Sequence, residues 1–342
     1  MSFWDFTRSV AGARILVEFG NQRGIGSDTL LQGTGLSQAQ LDDAHAELSA
    51  GQELRLTGNL LRAIEPAARH GLGIAAGASY HFSSYGLWGY GLISSATMLD
   101  AIGLALRFIP LTYAYTLISF REEGGAGVLS FGEPDLDPEL RHFVVARDMM
   151  AAALLLRELG GPDFRLLRFS LKAPVRRGGG PETAEVFGAR VQYGADSNHL
   201  RFDARHLRLP LPQANPLTAA MCAQMCGQLV ERRRVRSGSS AIVRHYLGMP
   251  GSTQPDLATM ARLMNTSERT LKRRLAAEGT TFRALLDEAR KATADELLAE
   301  ASLPLGEIAL RLGFSDSSSF SQTFKRWHGV SPGQYRRQKQ TP

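Results

Sequence analysis

The chain has 342 residues, 44% hydrophobic and 21% charged, with a net charge of +6. That length allows two domains with cores of their own, and the composition excludes a disordered chain. The N-terminal stretch MSFWDFTRSVAGARILVEFG lacks the apolar core of a secretory signal, and no apolar run nears the ~20 residues that span a bilayer, so a cytoplasmic protein with no membrane partner is expected.

In chain order, helical periodicity runs to about Leu106. Within it, SYHFSSYGLWGYGLISSAT gathers Tyr80, His81, Tyr85, Trp88 and Tyr90 among small residues. Such a cluster can line a pocket for a small organic effector, or it can be ordinary core and turn packing. Arg107, in LDAIGLALRFIPL, interrupts an apolar run. It is a candidate to grip a carboxylate bidentately, or its stem can carry the charge out to solvent. GLGIAAG has glycines at 71, 73 and 77 but neither the preceding strand nor the spacing of a dinucleotide fingerprint. No GxxxxGK[ST], HExxH or GxSxG run occurs, so no catalytic residues and no cofactor are expected.

The pattern then changes to mixed elements. TYAYTLISF and GVLSFGE form a hairpin around EEGGAG, LRHFVVARDMMAAALLLREL a helix, FRLLRFSLKA a strand and PETAEVFGA a short helix, with strand-like runs to about Leu209. The order predicts an α+β N-terminal domain over residues 1–216.

LTAAMCAQMCGQLVERRR, from Leu217, is helical with a stripe of Leu217, Met221, Met225 and Leu229. The stripe packs either on its own domain or on a second protomer. Cys222 and Cys226 share one side of this helix without the further Cys or HxxxH partner a zinc set needs, so no metal is expected and the pair reads as packing cysteines. The basic Gly/Ser stretch VRSGSS follows, and residues 217–239 are expected to be a linker helix and flexible linker before a C-terminal domain over residues 240–342.

Charge changes at the same place. From Arg232 onward there are 19 Lys and Arg against 10 Asp and Glu, leaving 20 against 23 before it, so the basic excess lies wholly in the C-terminal part. That excess fits a nucleic-acid partner or a solvated basic face.

The C-terminal part is a repeat. DLATMARLMNTSERTLKRRLAAE superposes on PLGEIALRLGFSDSSSFSQTFKRW, with Met260-Ala261 matching Ile308-Ala309 and Asn265-Thr266 matching Gly313-Phe314. After a one-residue gain, Leu271 and Leu275 match Phe320 and Phe324. Each copy predicts a short helix, a tight turn and a second helix, in an all-α domain of two helix-turn-helix units. FRALLDEARKATADELLAEA predicts one long connecting helix whose Leu285, Ala289, Ala292 and Leu297 lie near one face. With Leu271 and Leu275 turned to the core, Arg269, Lys272 and Arg273 face outward as candidate readers of double-stranded DNA. In the second copy Phe320, Phe324 and Trp327 form the buried stripe, leaving Ser317, Ser318, Ser321, Gln322 and Lys325 for base edges or phosphates, with Ser315 or Asp316 as the helix cap.

This C-terminal region resembles the DNA-binding domain of AraC/XylS-type transcription regulators. The resemblance is carried by Ile308, Ala309, Gly313, Phe314, Ser318, Phe320, Phe324, Lys325, Gly329, Ser331, Pro332, Tyr335 and Arg336, and Arg290 fits the same pattern. Asn265 stands where Gly is commoner, and Arg274 where an apolar residue is frequent. LLQGTGLSQAQL, WGYGLISSATMLDAI and VFGARVQYGADSNHLRFDARHLRLPLPQANP are similar to the sensory half of a subgroup that includes regulators of amino-acid catabolism. The resemblance implies a promoter-binding regulator with a small-molecule effector, commonly a homodimer, and RNA polymerase as a further partner where it activates. The rival reading is a DNA-binding domain fused to an enzymatic or methyl-accepting N-terminal domain, which would need a reactive, partly exposed thiolate.

Overall fold

The structure is a computed structural model and describes residues 7–43, 45–174, 185–247, 255–264, 266–299 and 303–340. The chain folds as two compact units that divide between Ser237 and Gly238.

The first unit is α+β. Its six-stranded sheet runs in the order Ile118–Glu123, Ala126–Phe131, Asn198–Asp203, Leu166–Ser170, Ala189–Gln192, Glu185–Val186. The first two strands form the expected hairpin, because Gly124 at φ 57° and Gly125 at φ 73° supply the two left-handed residues a tight turn needs. Asn198–Asp203 buries alternate residues, Leu200 and Phe202 among them, as one face of a sheet requires. Gly127 pairs with Phe202, and any side chain there would collide with the ring.

PETAEVFGA does not form the expected helix where it is described. Residues 185–189 belong to a hairpin, turned by Phe187 at φ 48° and Gly188 at φ 91°, with Val186, Ala189 and Val191 buried. Two adjacent left-handed residues and period-two burial are incompatible with a helix. Residues 181–184 of that stretch lie outside the described residues.

The helix Pro138–Gly160 is buried on nearly every side, and Asp137 caps it by accepting from the Glu139 amide at 3.1 Å. Leu72–Gly77 lies against it so closely that a Cβ on Gly73 would meet the Phe143 carbonyl and one on Gly77 the Arg147 carbonyl. The glycines of GLGIAAG therefore serve helix packing, and Arg147 sits on a turn held by that contact. A separate core of Leu16, Leu30, Leu56, Leu60 and Phe143 joins the N-terminal helices to the same long helix.

The helix from Leu217 runs Pro216–Ser237, capped by Asn215 Oδ1 accepting from the Thr218 amide at 3.0 Å. It continues through the first half of VRSGSS and breaks at Gly238, at φ 91°. Cys222, Cys226 and Val230 form its docked face, and Cys222 packs against the Cβ-less Gly91. The stripe does not dock on its own unit: Leu217 is 73% exposed, Met221 55%, Met225 47% and Leu229 38%. Small side chains allow the closer approach, which gives the cysteine side the inward position.

The second unit is all-α: Ser239–Leu247, Leu257–Leu263, Glu268–Ala277, Phe282–Ala299, Leu305–Arg311, Ser317–His328 and Pro332–Gln340. The Glu278 carboxylate accepts from the amides of Ser239 and Ser240 and so caps the opening helix. The connecting helix Phe282–Ala299 does not use one seam. Leu285, Ala294 and Leu298 are buried while Ala292 is exposed. Ala294 comes about two and a half turns after Leu285 and faces the opposite way. Only the later end, with Leu297 partly buried beside Ala294 and Leu298, enters the core of the second helix-turn-helix.

Candidate functional site

The two repeats make the same turn bond. The Thr266 amide donates to the Ala261 carbonyl at 2.9 Å, and the Phe314 amide to the Ala309 carbonyl at 2.9 Å. Met260, Ala261, Ile308 and Ala309 are all buried, so the small Ala lets each helix pair close on its neighbour. Gly313 takes the left-handed conformation at φ 72°, and Asn265 lies outside the described residues.

Each second helix is capped by the residue before it. Ser267 Oγ accepts from the Thr270 amide at 3.2 Å, and Asp316 Oδ1 from the Ser319 amide at 2.7 Å. The caps stand one position later relative to the turn in the second copy, which is where the repeat gains its residue. Asp316 also accepts from the hydroxyls of Ser315 and Ser319, each at 2.9 Å. The Ser319 amide first, then the hydroxyls of Ser315 and Ser319, hold its carboxyl below the usual range.

With Leu271 and Leu275 fully buried, Arg269, Lys272 and Arg273 are exposed and Arg274 is half-buried. With Phe320 and Phe324 fully buried and Trp327 half-buried, Ser317, Ser318, Gln322 and Lys325 are exposed and Ser321 is half-buried. Arg290 places its guanidinium carbon 4.8 Å from the centroid of the Phe314 ring and donates from Nη2 to the Gly313 carbonyl at 3.3 Å. The connecting helix thus fixes the turn that aims the second outward face.

The first unit holds a cavity of about 90 Å³ between the aromatic cluster and the long helix. Of the sequence candidates, Tyr80, Tyr85 and Trp88 line it, Tyr85 with ring centroids 4.9 Å from Trp88 and 5.2 Å from Tyr113. Burial raises the Tyr80 phenol far above its ordinary value and Tyr113 to about 12, so both stay protonated donors. The other three candidates lie elsewhere. His81 is exposed and pairs with Glu158, Tyr90 is 56% exposed, and Arg107 is exposed in the last turn of Met98–Arg107 with its charge 5.0 Å from the Phe108 ring. Tyr90 lies on the exposed side of Gly86–Ile93 and Arg107 at the end of its helix, while His81 precedes the short helical turn Phe82–Tyr85.

The arginine at the cavity is Arg147. It donates to Glu53 Oε1 at 3.1 Å, to the Tyr113 carbonyl at 2.7 Å, and to Asp148 Oδ1 from Nε at 3.1 Å and from Nη2 at 2.9 Å. Arg8 completes the set, 3.4 Å from Glu53 Oε2. Burial pulls the Arg147 pKa down, but Asp148, Tyr80 and Glu53 outweigh it and hold the guanidinium well above its ordinary value. Two guanidinium groups and two carboxylates, all buried, therefore balance. Among the described residues no cluster of His, Cys, Asp or Glu is arranged to hold a metal, and no helix is long and apolar enough to cross a membrane.

A model of the arabinose-binding N-terminal domain of AraC transcription regulators matches residues 24–211, and a helix-turn-helix domain model matches residues 260–338. Over 334 residues the chain is 32% identical to the ornithine utilization regulator of Pseudomonas aeruginosa, covering 96% of this chain and 95% of that protein. It is also 32% identical over 334 residues to an uncharacterized HTH-type transcriptional regulator of Mycobacterium tuberculosis, covering 96% of each. Among solved structures, the transcriptional regulator CdpR from Pseudomonas aeruginosa is 24% identical with a TM-score of 0.47, covering 96% of this chain and 98% of that one.

Proposed function

This chain belongs to the AraC family of transcription regulators, with an N-terminal ligand-binding domain and a C-terminal helix-turn-helix DNA-binding domain, and on that premise we propose how its residues carry the two tasks. Arg269, Lys272 and Arg273 read one major-groove segment, with Arg bidentate on guanine O6 and N7. Ser317, Ser318, Ser321, Gln322 and Lys325 engage the next segment, mainly through phosphates and with less discrimination between bases. The observation that carries this reading is the identical turn bond in both copies, which gives each second helix the same outward face.

Effector binding belongs to the cavity beside Tyr80, Tyr85 and Trp88, and its chemistry is set by that lining rather than by the sugar or amino acid in the descriptions of the relatives. The exposed Leu217, Met221, Met225 and Leu229 stripe supports a homodimer through the Pro216–Ser237 helix. In an activator, RNA polymerase is the further partner at the promoter.

A hydroxyl-radical footprint on a high-affinity site tests the DNA reading. One protomer should protect two segments on one face of the duplex, about 10 bp apart. Protection of a single segment would show that only one helix enters the groove.

A further inference from the structure

We propose that the effector of this cavity is a small, uncharged, mainly hydrocarbon molecule that presents one hydrogen-bond acceptor, a carbonyl or ether oxygen, to the indole N–H of Trp88. The proposal rests on reading this cavity as the effector site, and adds the chemical class of the ligand.

Charge is settled first. Arg147 already faces Glu53 and Asp148, and the second oxygen of Asp148 accepts from the amides of Tyr115 at 2.8 Å and Thr116 at 3.1 Å and from the Thr116 hydroxyl at 3.1 Å. Four of the five guanidinium donors are engaged by the protein. A ligand carboxylate would compete with two buried carboxylates, and an ammonium would find both already paired. Either would be desolvated without a counter-charge of its own.

Of the four hydroxyls that line the cavity, those of Tyr80, Tyr85, Thr112 and Tyr113, all but that of Tyr85 are committed. Tyr113 donates to the Ser84 carbonyl at 2.7 Å, Tyr80 to the Gly12 carbonyl at 3.4 Å and Thr112 to the Ile109 carbonyl at 2.8 Å. A polyol would bury several hydroxyls against Leu92, Ile102, Leu129 and Leu155 with too few partners.

One fully buried donor of the lining has no partner among the described residues. Trp88 is 4% exposed and its Nε1 has no acceptor among the described residues, although a buried indole N–H ordinarily finds one. A ligand oxygen would supply it.

Full-length protein should be titrated with cyclopentanone, cyclopentane, cyclopentanecarboxylate and a pentose, following thermal stability and the Trp88 indole N–H resonance, which is assigned by its loss in Trp88→Phe. The ketone should bind and shift that resonance, and exceed the hydrocarbon in affinity by roughly two- to tenfold, the worth of one hydrogen bond. Trp88→Phe should erase the margin of ketone over hydrocarbon, the two compared within that same variant. A ketone no tighter than the hydrocarbon removes the acceptor role. Tighter binding of the carboxylate or the pentose with the same resonance shifted overturns the ligand class and leaves the cavity as the effector site. If no probe shifts the resonance, or if binding survives Ala152→Phe, which fills the cavity in a protein that still melts cooperatively, the cavity reading falls and the class falls with it.

Discussion

Arg290 reaches from the connecting helix to the turn of the second helix-turn-helix, where its Nη2 stands 3.3 Å from the Gly313 carbonyl oxygen. Gly313 is left-handed at φ 72°, and a Cβ there would come within 3.2 Å of that same Arg290 nitrogen. Gly313→Ala therefore adds left-handed strain of about 1–2 kcal/mol and displaces the guanidinium. Urea denaturation of the full chain should show that loss in the C-terminal unit, with DNA affinity falling as the second helix loses its aim. Unchanged stability and affinity would mean that the turn relaxes to an ordinary conformation at no cost.

The two recognition helices should respond differently to truncation. Arg273→Ala should cost about 1–3 kcal/mol and relax preference at one base pair if the side chain reads guanine. Lys325→Ala should weaken all sequences alike and lower the salt slope by about one if it meets phosphate. Fluorescence anisotropy on specific and random duplexes across salt concentrations separates these outcomes, and an equal loss on both duplexes for Arg273→Ala removes it as a reader.

Glu53 joins Arg8 and Arg147 in the core of the N-terminal unit, and all three are almost fully buried. Glu53→Gln removes the carboxylate that both guanidinium groups face. Breaking such a pair costs about 3–5 kcal/mol, far more than an exposed pair, and should lower the urea midpoint accordingly. A loss below about 1 kcal/mol would show that water or a neighbouring group takes over the charge.

What the sequence made legible follows from how local each signal is. Caps, turn bonds and alternating burial of Leu271, Leu275, Phe320 and Phe324 are set within five or six positions, so both repeats could be read directly. The stripe from Leu217 was legible as a pattern, but which face docks depended on Gly91, far away in the chain. The cavity was half legible. Tyr80, Tyr85 and Trp88 are close in sequence, whereas Arg147 meets Glu53 across 94 positions and has no local mark. Arg107 stood out because it breaks an apolar run, yet the end of a helix is where a charge escapes to solvent and favours the helix dipole.

Burial raises the thiol of Cys222 above its ordinary value and, with the neighbouring Cys222, that of Cys226 to about 11. At pH 8 roughly one Cys226 in a thousand is thiolate, so a thiol reagent should react slowly with native protein and fully in denaturant. Because the folded pKa is raised, the protonated thiol favours folding below about pH 9, and that contribution should be lost as the pH rises to about 11. A native cysteine that reacts within seconds at pH 8 would revive the methyl-accepting alternative.

Met221 and Met225 lie about a third of a turn around the Pro216–Ser237 helix from the docked Cys222, Cys226 and Val230, and are 55% and 47% exposed. Glutamate at both positions should leave the fold within about 0.5 kcal/mol, as exposed substitutions do. In a dimer joined through this stripe the same charges would face an apolar surface and each other, so association should fail. Sedimentation of the wild type should give a dimer and of the double variant a folded monomer that binds operator DNA more weakly, since paired DNA-binding halves raise each other's effective concentration. A wild type that is monomeric at micromolar concentration, or a double variant that stays dimeric, would place the contact elsewhere or remove it.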